Sequence, residues 1–573
     1  MSVRIGEILV EKQLITEEQL VRAVAEHQKS KEFLGQTLIR LGFISEEKLL
    51  KVLAGQQGLA FLNLRDVKFD DEIIKKMPAK FAWHYKIMPI TLDGNVLTVA
   101  TSNPFDMWSI DDLETNLGYR VETVLALSSD IVDAIRKYYG VGAETIERIL
   151  ADKPQEEKTA QDAAAREKIE DLETSPDAAS VVKLVNQILQ QAIHDRATDI
   201  HFEHFHNELL LRYRIDGILY DAQVSENMRY LYPAIISRIK VMANMDIVER
   251  RVPQDGRAKV KIADREYELR VSVLPTLYGE NVVIRILPML MLFSMADLGM
   301  QARELQVLQR VLQKPHGIIF VTGPTGSGKT TTLYTCLSQL NTRERKIITI
   351  EDPVEYELRG ISQIQVNPKI NLTFASALRS ILRHDPDVIM VGEVRDFETA
   401  SVTIQTSLTG HLVFSTLHTN DAAGAATRLI DMGIDPFLIT SSVEMFVAQR
   451  LVRKICSQCK EPSKTPLPIG PPRGEKIQLA GLPKGFDSSK PVFRGKGCNA
   501  CNKTGYKGRI GIYELLVMNE TIRDMILRKE SSEKVEARAI ELGMKPMSQD
   551  GWEKVFAGIT TPEEVQRVTQ VAE

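Results

Sequence analysis

The sequence predicts a multidomain α/β protein, and three observations carry that expectation. The chain has 573 residues, room for several domains at ~100–200 residues each. From Leu298 onward, short apolar strands alternate with helix-like stretches, the pattern of a mainly parallel sheet. Within that half, strand-like Gly317–Thr322 runs into Gly323-Pro324-Thr325-Gly326-Ser327-Gly328-Lys329-Thr330, and then into helix-like Thr331–Leu340. Strand, G-x-x-x-x-G-K-[ST] and helix in that order mark a phosphate-binding loop. The glycines let the backbone curl so that its N–H groups point at phosphate oxygens, and the helix N-terminus adds its dipole. Lys329 is placed to contact the β- and γ-phosphates and the Thr330 hydroxyl to ligate Mg²⁺, so ATP is the expected ligand, with Thr331 at the helix start beside it.

The other segments follow in chain order. Residues 1–60 hold an internal repeat. Ile5-Gly6, Leu9, Ile15, Glu17-Glu18, Leu20, Ala25 and Gln28 recur as Leu34-Gly35, Leu38, Ile44, Glu46-Glu47, Leu49, Ala54 and Gln57, all offset by 29 (34 − 5 = 29). Thr16 and Ser45 precede the Glu pairs as helix N-caps do, so each copy reads as helix, turn, helix. Residues 61–140 read as a small α/β subdomain, with a strand at 96–100 and a helix at 130–138. Residues 141–179 turn polar and charged, the composition of a flexible linker. In 180–290, Val181, Leu184, Val185, Ile188, Leu189 and Ala192 recur at helical spacing ahead of strand-like runs, giving a second α+β domain. The nucleotide domain spans 291–573.

Bulk properties narrow the function classes. Hydrophobic residues make up 43% and charged residues 26%, with net charge −4. A near-neutral chain gives no bulk argument for nucleic-acid binding, and none is expected as a partner. No apolar run reaches the ~18 residues that span a bilayer, and the N-terminal residues have no apolar signal-peptide core. A cytoplasmic protein is expected, with membrane contact only through a partner.

Further chemistry lies downstream of the loop. Strand-like runs end in Glu351-Asp352-Pro353-Val354-Glu355 and in Gly392-Glu393-Val394-Arg395-Asp396, and His411 and His418 bracket a third such strand. Acidic groups at the carboxyl ends of parallel strands face the ligand crevice, where one can polarise water and another can hold a Mg²⁺ shell. Glu351 and Asp396 also fit helix caps, and a lone histidine is by default a satisfied polar core group, but two bracketing one strand favour a place at the site. Cys456-Ser-Gln-Cys459 and Cys498-Asn-Ala-Cys501 pair two C-x-x-C turns across 39 residues (498 − 459 = 39), forming an insertion at 456–501. Four thiolates so presented make a closed structural zinc site.

Taken together these motifs resemble the secretion ATPase superfamily, the motors of type II secretion and type IV pilus assembly. The phosphate loop, an aspartate box (Ile350–Glu355), an atypical Walker B (Gly392-Glu393) and a histidine box (Thr409–Thr419) occur in that order. The resemblance implies a C-terminal RecA-like ATPase domain preceded by a PAS-like domain and an N-terminal regulatory or docking region, assembled as a homohexamer. It implies that Glu355 is the catalytic glutamate, that Glu393 acts through Mg²⁺, and that His411 and His418 contact the phosphate region. It also implies that Arg270 and Arg285, on the preceding domain, reach the γ-phosphate when the two domains close. A guanidinium fork suits phosphate oxygens. Assembly and type II secretion motors often carry such a zinc module, so the resemblance favours an assembly motor working on an inner-membrane platform protein.

The 1–60 repeat resembles a cyclic-di-GMP-binding module of some of these ATPases, with R-[LI]-G-x-x-L as its full pattern. Arg4-Ile5-Gly6 fits the first copy and Leu34-Gly35 with Gly42 the second. Gln13 stands where the second copy has Gly42, and Phe33 where the first has Arg4. The alternatives are a docking surface for a cytoplasmic adaptor protein or a ligand-free helical domain.

Overall fold

The computed structural model describes residues 2–30, 32–140, 142–143, 145–146, 170–171, 180–206, 208–225, 227–262, 265–288, 294–463 and 491–569. The expected linker at 141–179 falls almost entirely outside these residues. The chain divides into two compact units, Met1–Ile286 and Leu287–Glu573.

The first unit opens with four helices, Ser2–Glu11, Glu17–Ser30, Leu34–Arg40 and Glu46–Gln57. Thr16 and Gln19 exchange reciprocal backbone to side-chain hydrogen bonds at 2.9 and 3.2 Å, and Ser45 accepts from the Lys48 N–H at 3.4 Å. The two copies repeat down to their turns. Leu14 N–H donates to Leu9 at 2.9 Å, and Phe43 N–H to Leu38 at 3.0 Å. Gln13, the apparent departure from Gly42, adopts the same left-handed backbone, φ 55° against 73°. Gly6 and Gly35 have a packing reason: a Cβ would meet Leu20 at 2.5 Å in one copy and Leu49 at 2.9 Å in the other.

A three-stranded sheet follows, with β1 (Met88–Asp93) antiparallel to β2 (Val96–Thr101) and β2 parallel to β3 (Arg120–Leu125). Helices Met107–Leu117 and Ser128–Tyr139 accompany it, and Met88, Leu97, Val99, Leu113, Ile131 and Ile135 form a core. The unit ends in a seven-stranded sheet with helices Ser180–His194 and Met228–Met242. Its strands are β4 (Glu170–Asp171), β5 (Ala197–His204), β6 (Leu209–Ile215), β7 (Ile218–Asp221), β8 (Gln254–Ile262), β9 (Arg265–Thr276) and β10 (Gly279–Pro288), in the order β4-β8-β9-β10-β5-β6-β7. Leu184, Val185, Ile188, Leu189 and Ala192, the apolar stripe read from the sequence, are buried in its core.

The second unit is built on a sheet in the order β13-β12-β14-β15-β11-β16-β19. The strands are β11 (Gly317–Thr322), β12 (Ile347–Glu351), β13 (Ser362–Gln365), β14 (Val388–Val391), β15 (Leu412–Leu417), β16 (Val443–Ile455) and β19 (Tyr506–Val517). All neighbours pair in parallel except β16 with β19. Each parallel strand is apolar on both faces because each face has its own core. Ile318, Phe320, Ile350, Ile389, Val391 and Val413 enter one cluster, while Ile319, Val321, Ile347, Val388, Met390 and Phe414 enter the other. That alternation is what a parallel sheet covered on both faces requires. Between β16 and β19 lies a two-stranded ribbon, β17 (Lys460–Pro462) with β18 (Phe493–Gly495). Four helices close the chain: Glu520–Leu527, Ser532–Glu541, Met547–Phe556 and Pro562–Thr569. Among the described residues no helix is long and apolar enough to cross a membrane.

Candidate active site

Parallel pairing brings the carboxyl ends of four strands side by side. Thr322 of β11 stands opposite Leu417 of β15, Ser415 opposite Val391 of β14, and Val391 opposite Ile350 of β12. The phosphate loop leaves β11 there and enters the helix Lys329–Leu340 through Gly328, which sits at φ 88° where a Cβ would also meet the Gln449 side chain at 2.8 Å. Only glycine tolerates both constraints. Lys329 Nζ donates to the Gly323 and Pro324 carbonyls at 2.7 and 3.1 Å. Burial pushes Lys329 down to about 8, while the nearby Glu393 pulls it back toward its ordinary range. Ser327 Oγ is buried with no protein partner. A buried hydroxyl needs an acceptor or donor, and an unpartnered one in this loop fits a phosphate oxygen.

The acidic residues arrive on neighbouring strand ends. Glu393 follows β14, where its carboxylate lies 2.8 Å from Arg395 and 3.3 Å from His418 Nε2. His418 follows β15, and the next residue, Thr419, locks onto the loop strand: its N–H donates to Thr322 Oγ1 at 2.8 Å. Glu355 lies in the segment after β12, and its N–H donates to the Tyr334 hydroxyl at 3.3 Å. Glu351 ends β12 and is buried, with burial raising its carboxyl above the usual range. Asp396 caps the helix Phe397–Leu408 by accepting from Thr399 N–H at 2.8 Å, so the cap reading holds for it.

His411 departs from expectation. It precedes β15, and its carbonyl accepts from the Gly317 N–H at the amino end of β11. Its ring Nδ1 lies 2.9 Å from the Thr406 carbonyl and 3.1 Å from Thr409 Oγ1. The six residues of β15 separate it from His418, roughly 20 Å at ~3.3 Å per residue. Within this unit His411 is therefore a polar group at the amino ends of the parallel strands, opposite the end that carries the phosphate loop.

Arg270 and Arg285 lie on β9 and β10 of the first unit. Arg285 Nε donates to Asp199 Oδ1 at 2.9 Å, and Arg270 Nε is 3.5 Å from Glu268. Arg257, on β8 opposite Arg270, is 3.8 Å from the same Glu268.

Comparison with known proteins decides the family. The description of Type II/IV secretion system proteins matches residues 174–567. The chain belongs to that family. Within it the chain is an ATPase of the pilus and secretion class. It is 42% identical over 567 residues to the type IV pilus assembly ATPase PilB of Myxococcus xanthus, covering 99% of this chain and 98% of the relative. It is 41% identical over 575 residues to type II secretion system protein E of Xanthomonas campestris pv. campestris, covering 99% of both. The X-ray structure of the Yersinia pseudotuberculosis ATPase DotB shares the fold, with TM-score 0.50 and 21% identity over 67% of this chain and 92% of that one. An MshEN domain matches residues 57–145. That match falls on the α/β subdomain, whereas the repeat pattern points to a ligand-binding module on 1–60.

The phosphate loop of this chain also rests on residues that the motifs do not include. Gln449 and Arg450 of β16 back the phosphate loop. Gln449 Oε1 accepts from Thr332 Oγ1 at 2.7 Å, and Arg450 Nη2 donates to the Asn420 carbonyl at 3.1 Å. A Cβ on Gly323 would meet Arg450 Nη1 at 3.1 Å. No local pattern marks these residues, because 117 residues separate Gln449 from its partner on the helix.

The four cysteines converge where β16 ends and the ribbon begins. Sγ distances are 3.8 Å for Cys456–Cys498, 3.8 Å for Cys459–Cys501 and 3.7 Å for Cys498–Cys501, and all four lie within 4.8 Å of one another. Tetrahedral thiolates at ~2.3 Å from zinc stand about 3.8 Å apart, so this set fits a structural zinc ion.

Proposed function

We propose that this chain is the hexameric cytoplasmic motor of type IV pilus assembly, using ATP hydrolysis to drive pilin extrusion through an inner-membrane platform protein. The observation that carries the reading is the convergence of Lys329, Glu393, His418 and the Glu355 segment on adjoining strand ends of one parallel sheet. Lys329 would hold the β- and γ-phosphates. Thr330 and Glu393 would hold Mg²⁺, which when bound supplies charge neutralisation at those phosphates. Glu355 would accept the proton of the attacking water. Arg270 and Arg285 would reach the γ-phosphate as the domains close, which makes ATP and ADP favour different states. The four thiolates would hold zinc and so clasp the β17–β18 ribbon. Cyclic-di-GMP is proposed as a ligand of the N-terminal region, and an adaptor-docking role there is the alternative.

A type II secretion motor is the second reading, favoured by the 41% identity to a protein E across 99% of the chain. Deletion in the host separates the two. Loss of surface pili with exoprotein secretion intact supports the first reading, and the reverse overturns it. For the chemistry, Lys329→Ala should abolish ATP hydrolysis and Glu355→Gln should stop turnover while nucleotide still binds. Added DNA should leave the rate unchanged, and stimulation by DNA would point to a translocase instead.

A further inference from the structure

The helix that continues the phosphate loop carries one buried side chain whose hydroxyl joins two other elements. Tyr334 is 2% exposed and Glu351 3%. The Tyr334 hydroxyl donates to Glu351 Oε2 and accepts from the backbone N–H of Glu355 at 3.3 Å. Glu351 is satisfied on its other oxygen by Thr349 Oγ1 at 2.6 Å and Gln363 Nε2 at 3.1 Å. Gln363 in turn donates to the Tyr356 carbonyl at 3.2 Å and accepts from the Leu358 N–H at 2.7 Å. The Tyr334 and Tyr356 rings pack edge to face with centroids 4.6 Å apart, and the Tyr356 hydroxyl is hydrogen-bonded to the Thr331 side chain. The segment 355–358 is thus held at Glu355 N, Tyr356 O and Leu358 N, and the first of these holds comes from the phosphate-loop helix itself.

A buried carboxylate carries a desolvation penalty, and an apolar residue of similar size would pack without it. Glu351 makes sense as a fixed acceptor. With its proton committed to Glu351, the Tyr334 hydroxyl presents its lone pairs to the Glu355 N–H and, at 3.4 Å, to Gln363 Nε2. The helix therefore sets where Glu355 stands relative to the phosphate chain.

We propose that Tyr334 is a positioning residue for hydrolysis, its hydroxyl holding the backbone of Glu355 in register with the phosphate loop. This rests on the reading of Glu355 as the carboxylate that takes the water proton. Tyr334 touches no reacting atom and acts only through Glu355.

The test is Tyr334→Phe in the full chain, which keeps the ring against Tyr356 and removes only the hydroxyl. A displacement of about 1 Å at a reacting group lowers rates by roughly 100-fold. A loss of kcat between about tenfold and 100-fold is expected, with KM for ATP and ADP affinity within about twofold of wild type. Adding Tyr334→Phe to Glu355→Gln should leave ATP and ADP affinity at the values of Glu355→Gln alone, whereas independent structural damage at the site would lower them. Gln363→Leu loosens the other side of the same segment and serves as the second variant should Tyr334→Phe fold poorly, with the same kcat-selective loss. The proposal is overturned if Tyr334→Phe keeps kcat within twofold while Glu355→Gln is inactive, or if either variant loses nucleotide affinity rather than kcat. Wild-type turnover in Glu355→Gln would instead remove the reading beneath it.

Discussion

Nucleotide affinity should fall with rising pH in a way set by one amine. Burial pushes Lys329 down to about 8 in the protein alone. A phosphate beside it reverses the balance and holds the ammonium charged. The sign follows from linkage: the bound state carries the proton, so above about pH 8 binding has to take one up, and affinity drops as pH rises. With a free-protein value of about 8 and the proton retained in the bound state, affinity should fall by up to ~10-fold per pH unit above about 8, less as solvent screens this partly exposed amine. Titration of a fluorescent ADP analogue at saturating Mg²⁺ across this range measures it. Calorimetry in two buffers of different ionisation enthalpy should show proton uptake rising toward one per nucleotide. Lys329→Arg should flatten the slope, because a guanidinium stays charged throughout. A wild-type affinity independent of pH, or a slope that persists in Lys329→Arg, would refute the argument.

Arg285→Ala should reduce turnover at least tenfold while leaving ADP affinity near wild type, because ADP lacks the phosphate that the arginine would contact; steady-state kinetics with ADP titration checks both. Elemental analysis should find one zinc per chain, and Cys498→Ser should lose it and lower the unfolding temperature of the ribbon, while ADP affinity changes little. Asp550→Asn should cost about 3–5 kcal/mol. Asp550 pairs with Lys554 at 2.6 Å with both side chains buried, and Lys554 also donates to the Gly511 carbonyl at 2.8 Å. Denaturant unfolding followed by fluorescence of the buried Trp552 reads that loss.

What is legible in the sequence is local. The phosphate loop, its strand and its helix announce themselves by spacing, and so do the apolar stripe of 180–192 and the repeated helices. The paired C-x-x-C turns are legible because that spacing presents two thiols from one tight turn, and the four thiols do converge. The long β16–β19 pairing is not, since the ribbon and its insertion separate strands that meet only in space. The four closing helices carry no motif that singles them out. His411 and His418 are one residue type bracketing one strand, and the family resemblance joins them in one role. A parallel strand nevertheless presents its ends to opposite edges of the sheet, so only one of these histidines can face the loop. Tyr334, Gln449 and Arg450 carry no motif, and their roles come from partners brought close by the fold. At Gln13 the backbone takes the left-handed turn without glycine, which the residue type alone does not announce.

The course of β16 separates what backs the phosphate loop from what the four cysteines hold. The strand spans Val443–Ile455, pairs with the phosphate-loop strand through Ile318–Thr322, and ends against Cys456. Its middle residues, Gln449 and Arg450, back the loop, and its end supplies the first cysteine. A strand in a sheet is an extended element held by a ladder on both sides, here β11 in parallel and β19 antiparallel. The loop's backing is fixed by those ladders, with Gln449 opposite Tyr513 and Ala448 opposite Glu514, and needs no metal. The cysteines lie beyond the β11 pairing, which ends at Ala448, where the chain leaves the sheet for the two-stranded ribbon. That division is why removing one thiolate should loosen the ribbon and spare nucleotide affinity. A large loss of ADP binding in Cys498→Ser would mean instead that the register of β16 itself depends on the metal.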